Sequence, residues 1–179
     1  GYQFGSAVAG EVGTVEVRSE AAWFFMHDNK TNTARSFPAA NDHLDMVIGI
    51  GSNIVGGILE LQAEYYYNGA ASGPKKDRFS LIAAGQLQHV NRHLLGTLTR
   101  YQLTPLLHGS LAFLWGVEDA SWLFQPGLVY SATSTLDLVT GAAIMHGRRP
   151  EGTTLEDFQF HSEFGTYPNY YYVETKFYF

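Results

Sequence analysis

Tyr170-Tyr171-Tyr172-Val173-Glu174-Thr175-Lys176-Phe177-Tyr178-Phe179 ends the chain as an alternating stretch. Successive side chains on an extended strand point to opposite faces. Tyr171, Val173, Thr175, Phe177 and Phe179 therefore share one face, and Tyr172, Glu174, Lys176 and Tyr178 share the other. The first face suits hydrocarbon. The second carries a carboxylate and an ammonium and needs water or a polar filling. We read the stretch as the closing strand of a transmembrane sheet.

Composition is consistent with that reading without requiring it. The chain has 179 residues, 45% hydrophobic and 15% aromatic, a length that fits one domain. It contains no apolar run of the roughly 18 residues that a membrane-spanning helix needs, which excludes a helical membrane protein. Mean hydropathy is -0.10, an ordinary value, but a transmembrane barrel hides its lipid face in alternate positions and scores weakly on average. Cysteine is absent, which removes disulfides, thiolate metal sites and cysteine nucleophiles. The net charge of -6 argues against a nucleic-acid surface, since no basic cluster stands out beyond Lys75-Lys76 with Arg78. Gly1 opens the sequence without Met or an apolar leader, so the expectation is a removed signal peptide or a longer protein.

Working back from the closing strand, the same period-two pattern recurs. Tyr2 to Glu11 ends in a tight turn at Val12-Gly13. Thr14 to Met26 sets Val15, Val17, Ala21, Trp23 and Phe25 against Glu16, Arg18, Glu20 and Phe24. Periodicity then disappears from His27 to Asp42, a long polar loop. Leu44 to Asn53 turns near Ser52 to Gly56 into Gly57 to Asn68, where Glu60, Gln62 and Glu64 alternate with Leu59, Leu61 and Ala63. After a Gly- and Ser-rich stretch from Asn68 to Asp77, the spacing of Phe79, Ile82, Ala83, Gln86 and Leu87 is helical. It predicts a short helix over 78–90 inside a loop. Alternation returns from Arg92 to Leu103, turns at Thr104-Pro105, and continues from Leu107 to Val117. Trp122 to Ser131 follows, with Pro126 counting against a strand. Leu136 to His146 precedes a polar loop from Gly147 to Asn169.

About nine strands joined by alternating short turns and long loops make an all-β, antiparallel, up-and-down transmembrane barrel, taken as one domain over 1–179. Single-chain bacterial barrels usually have even strand numbers. An odd count leads to the expectation of further amino-terminal strands, or of a tenth strand at Phe79 to His89.

The charged face collects Glu16, Arg18, Glu20, Glu60, Gln62, Glu64, Arg100, Asp137, Glu174 and Lys176 as candidate pore lining. These residues either select solutes by sign or form a ladder of satisfied charges in a closed interior. His89 and His93 would share a helix face at metal-ligand spacing, and Asp42, His43 and Asp45 form a second cluster. Both are more economically solvated loop residues, and no metal or cofactor is expected. Ser110 with His108, or Ser162 with His161 and Glu163, supply hydrolase residue types without the geometry of a triad, so an enzyme is not expected. Trp23, Trp115 and Trp122 read as interfacial girdle.

The closing stretch resembles the terminal strand of Gram-negative outer-membrane barrels. That resemblance implies an assembly signal at Tyr171, Val173, Phe177 and Phe179, read by the barrel assembly machinery. Glu64-Tyr65-Tyr66-Tyr67-Asn68-Gly69, Arg92-His93-Leu94-Leu95, Tyr101-Gln102-Leu103-Thr104-Pro105-Leu106-Leu107, Leu136-Asp137-Leu138 and Ser162-Glu163-Phe164-Gly165, in that order, resemble the carboxy-terminal half of a family of uncharacterised, porin-like outer-membrane proteins. The resemblance implies residence in the outer membrane of a Gram-negative bacterium and contact with lipid and small solutes. It implies no catalytic residues. The expected function is passive passage of small solutes, with loops Met26 to Asp42, Asn68 to Val90 and Gly147 to Asn169 narrowing the mouth. The alternative is a scaffold barrel that houses or docks a partner protein.

Overall fold

The computed structural model describes residues 2–25, 42–83, 87–152 and 159–179. Nine strands run β1 (Tyr2–Val12), β2 (Val15–Phe25), β3 (His43–Ile54), β4 (Leu59–Asn68), β5 (His93–Thr104), β6 (Leu107–Gly116), β7 (Ser121–Thr133), β8 (Leu136–His146) and β9 (Tyr170–Phe177). They form one sheet in sequence order, and every neighbouring pair is antiparallel. Among the described residues, no pairing joins β1 to β9.

One end of the sheet is built from tight connections. Gly13-Thr14 links β1 to β2, with Gly13 at φ 66°, a left-handed conformation that glycine adopts at little cost. Val55 to Ile58 links β3 to β4, Pro105-Leu106 links β5 to β6, and Ser134-Thr135 links β7 to β8. Phe179 lies at this end too, because Phe177 pairs with Leu136 at the start of β8. The opposite end carries the β6–β7 turn and the long connections, including a helix, α1 (Lys75–Ala83).

Several boundaries differ from the sequence reading. The first strand runs one residue further, so the turn is Gly13-Thr14 rather than Val12-Gly13. The helix expected over 78–90 lies at Lys75–Ala83, and 87–92 is irregular. Pro74 explains the earlier start: its carbonyl accepts from the Asp77 and Arg78 amides at 3.0 and 3.3 Å, opening the first turn. A strand at Phe79 to His89 is thereby excluded. Pro126 sits inside β7 opposite Leu111. The β7–β8 ladder passes from Phe124↔Ile144 to Gly127↔Gly141 without a pair at Gln125 or Pro126, so the missing N–H falls where the ladder is already interrupted. The expected loop from His27 to 41 lies outside the described residues.

The register sorts the side chains without exception for charge. Following cross-strand partners from Phe177 through Leu138, Tyr130, Gly109, Thr99, Leu61, Ser52 and Val15 to Val12 traces one face. No Asp, Glu, Lys or Arg of any strand stands on it. All of them, Glu11, Glu16, Arg18, Glu20, Asp45, Glu60, Glu64, Arg100, Asp137, Glu174 and Lys176, stand on the other. Large apolar side chains of the first face are exposed from Tyr2 to Phe177, far more apolar surface than a water-soluble monomer leaves uncovered. Aromatics gather towards its two ends. Phe4, Trp23, Tyr65, Tyr67, Trp115 and Trp122 lie at the long-connection end, and Tyr101, Tyr130 and Phe177 at the tight-turn end. The buried apolar cluster instead belongs to the long connections, where Ala70, Ala71, Leu81 and Leu87 form a small core.

Candidate functional site

The polar face is floored by small residues. Gly5, Ala7 and Ala9 of β1, Gly49 and Gly51 of β3, Gly96 of β5, Ala112 of β6, Gly127 of β7 and Gly141 of β8 all point to it. Space is thus left above the sheet instead of being filled with bulky core residues, and the charged side chains reach across it. Arg18 of β2 pairs with Glu64 of β4 over the intervening strand. A Cβ at Gly49 would stand 2.9 Å from Arg18 Nε and 3.4 Å from Glu64 Cγ, so this ion pair depends on glycine at that position. Arg100 Nη1 donates to both Glu60 oxygens at 3.0 Å, and Gln62 Nε2 donates to Glu60 Oε1 at 2.5 Å. Lys176 lies 3.8 Å from Glu174, and Tyr178 donates to Asp137 at 3.1 Å. The sequence-predicted lining residues therefore share one surface, and each cation on it faces a carboxylate. Among the described residues, Glu11, Glu16 and Glu20 have no cation, and Glu11 stands directly opposite Glu16. The face is acidic in excess.

A polar knot covers the long-connection end of this face. Glu163, only 5% exposed, accepts from the backbone N–H of Val90 and Asn91 at 2.9 and 3.0 Å and from Asn91 Nδ2 at 3.0 Å. Its other oxygen lies 2.6 Å from His89 Nδ1. The Glu163 amide donates to Asp119 Oδ2 at 2.7 Å, while Asp119 Oδ1 accepts from the Ser121 amide and hydroxyl. Buried Arg78 donates to the Gly73 and Val90 carbonyls and, at 2.6 Å, to Glu118. Burial alone would raise the Glu118 pKa. The Arg92 N–H, the Arg78 hydrogen bond and the two guanidinium charges outweigh it and hold the carboxyl below its ordinary value. Leu94, Ser121 and Ala143, polar-face residues at this end, are buried. The α1 connection, the β6–β7 turn and the β8–β9 connection thus fold together at this end of the polar face.

The other sequence candidates are dispersed. His89 and His93 do not share a helix: His89 is held by Glu163, whereas His93 begins β5 with Nδ1 2.7 Å from the Tyr65 hydroxyl on the apolar face. His43 stacks on Phe24, and Asp45 accepts from the Gly69 amide at 2.9 Å. Ser162 donates to the Arg148 carbonyl, separately from the His89–Glu163 pair. Ser110 and His108 share the polar face opposite Gly127 and Val129. The knot around Glu163 was missed by sequence reasoning because its partners come from three connections with no periodicity. The only available signal was the density of Asp, Glu, Asn and Ser flanking those turns. No protein-family model, curated protein or solved structure matches the chain.

Proposed function

We propose that the nine strands form wall of an outer-membrane β-barrel, and that the barrel is a porin-like channel passing small solutes passively. One observation carries the reading: every strand charge stands on a single face floored by glycine and alanine, while the opposite face is apolar and rimmed by aromatics. A barrel wall needs that division, with lipid outside and a polar lumen inside. In this reading the lining comprises the charged residues from Glu16 to Lys176, and the knot around Glu163 narrows the mouth. Phe179 with Phe177, Val173 and Tyr171 serves as the assembly signal in a Gram-negative outer membrane.

A steady single-channel current from the purified protein in a planar bilayer is the expected result, with cations favoured under a KCl gradient because the lining is acidic in excess. The packed cap also favours a second reading, a scaffold whose interior is closed or occupied by a partner protein. Folded, inserted protein that carries no current would support the scaffold over the channel.

A further inference from the structure

Two hollows on the polar face meet at β4. The first, of about 400 Å³, has Gly5, Ala7 and Ala22 in its floor and Glu20, Asp45 and Tyr66 on its sides. The second, of about 270 Å³, runs from Gln62 and Glu64 over Gly96 to Leu98, Leu114 and Leu123. Tyr66 and Glu64 are consecutive polar-face positions of β4, so the hollows adjoin at roughly 7 Å along that strand. Leu114 pairs with Leu123, and Leu98 with Ala112, which makes an apolar strip on a face whose other half is charged. A contiguous apolar strip facing an aqueous space marks a surface that binds something. The charge beside it is unbalanced. Among the described residues, Glu20 has no cation, and Asp45 is met only by the Tyr66 hydroxyl at 3.4 Å and the Gly69 amide. The two basic side chains beside this hollow are engaged elsewhere: Arg18, one polar-face position from Glu20 on β2, pairs with Glu64, and His89, edge-on to the Tyr66 ring, is held by Glu163.

Resting on the channel reading, we infer that this face binds amphipathic organic cations. The positive head sits between Glu20, Asp45 and the Tyr66 ring, where carboxylate attraction and cation–π contact act together. The apolar tail crosses Gly96 onto Leu98, Leu114 and Leu123. From β4 to β6 is about 10 Å at ordinary strand spacing, which a tail of about six to eight methylenes covers.

Calorimetric titration of the full chain in lipid nanodiscs tests this without requiring conduction. The probes are tetramethylammonium, butyl-, hexyl- and octyltrimethylammonium, and octanoate, each corrected for uptake by empty nanodiscs. Affinity is expected to rise about two- to fourfold per methylene along the alkylammonium series, with octanoate much weaker. Leu114→Gln should flatten the dependence on chain length, and Glu20→Gln should weaken every cation while preserving that dependence. Equal binding of tetramethyl- and octyltrimethylammonium, or of octanoate and octyltrimethylammonium, overturns the inference even if the protein conducts. Chain-length-dependent binding to a protein that carries no current would retain the site and discard the channel.

Discussion

Replacing Glu163 with alanine should unfasten the cap and leave the sheet intact. Its buried carboxylate satisfies the Val90 and Asn91 amides and the Asn91 side chain, and contacts His89. Hydrogen bonds to a charged acceptor are worth about 1.5–3 kcal/mol each, and a stranded buried donor costs about 1–3 kcal/mol. The donors share one carboxylate and lie in connections that water reaches on opening, so the losses do not add fully. We take about 3–4 kcal/mol for the local opening of 87–92. That corresponds to roughly 10²–10³ in the opening equilibrium at 1.4 kcal/mol per factor of ten. Amide hydrogen exchange of the folded protein, read at Val90 and Asn91, should accelerate by that factor, while amides in the middle of β5 and β6 keep their protection. Glu163→Gln retains one acceptor oxygen and should fall between wild type and alanine. Unchanged exchange at Val90 and Asn91 in Glu163→Ala would refute the reasoning, because it would mean that the carboxylate does not hold this segment.

Other perturbations probe separate parts of the structure. Gly49→Val places a side chain where Arg18 and Glu64 meet; overpacking of about 1–3 kcal/mol should lower the urea midpoint. Arg18→Ala should cost less than about 1 kcal/mol, since both partners are around 40% exposed. A Cβ at Gly141 would lie 2.6 Å from Tyr172 Cζ, so Gly141→Ala should lower the unfolding temperature and Tyr172→Ala should recover part of the loss. Because the Glu118 carboxyl is held below its ordinary value, its contribution is complete above that value and disappears as pH falls through the lowered folded value. Acidification should therefore speed exchange in α1, and Glu118→Gln should remove that pH dependence. Leu61→Arg on the apolar face should cost about 2–4 kcal/mol in a bilayer, against little for Gln62→Arg beside it.

The strands were legible because one physical constraint repeats in each of them. Glu60, Gln62 and Glu64 alternate with Leu59, Leu61 and Ala63, and period two leaves no other way to separate charge from apolar surface. Pairing adds what a single strand lacks: the register joins Glu11, Asp45, Glu60 and Arg100, each already opposite apolar neighbours in its own strand, into one continuous charged surface. The helix was legible in kind but displaced, because Pro74 starts it before the apolar spacing becomes visible. Residues distant in sequence were illegible as partners. Arg78 and Glu118, or Glu163 and Asn91, meet because three aperiodic connections converge, and neither spacing nor composition encodes that convergence.

Single cysteines placed in turn from Leu59 to Asn68 of β4 would carry spin labels on a chain that has no native cysteine. In a reconstituted bilayer, accessibility to dissolved oxygen and to a water-soluble nickel chelate would be read at each position. Oxygen maxima at Leu59, Leu61, Ala63 and Tyr65, with nickel maxima at Glu60, Gln62 and Glu64, is the expected pattern. The two profiles rising and falling together, or oxygen peaking at the carboxylates, would contradict the division of the sheet between lipid and lumen.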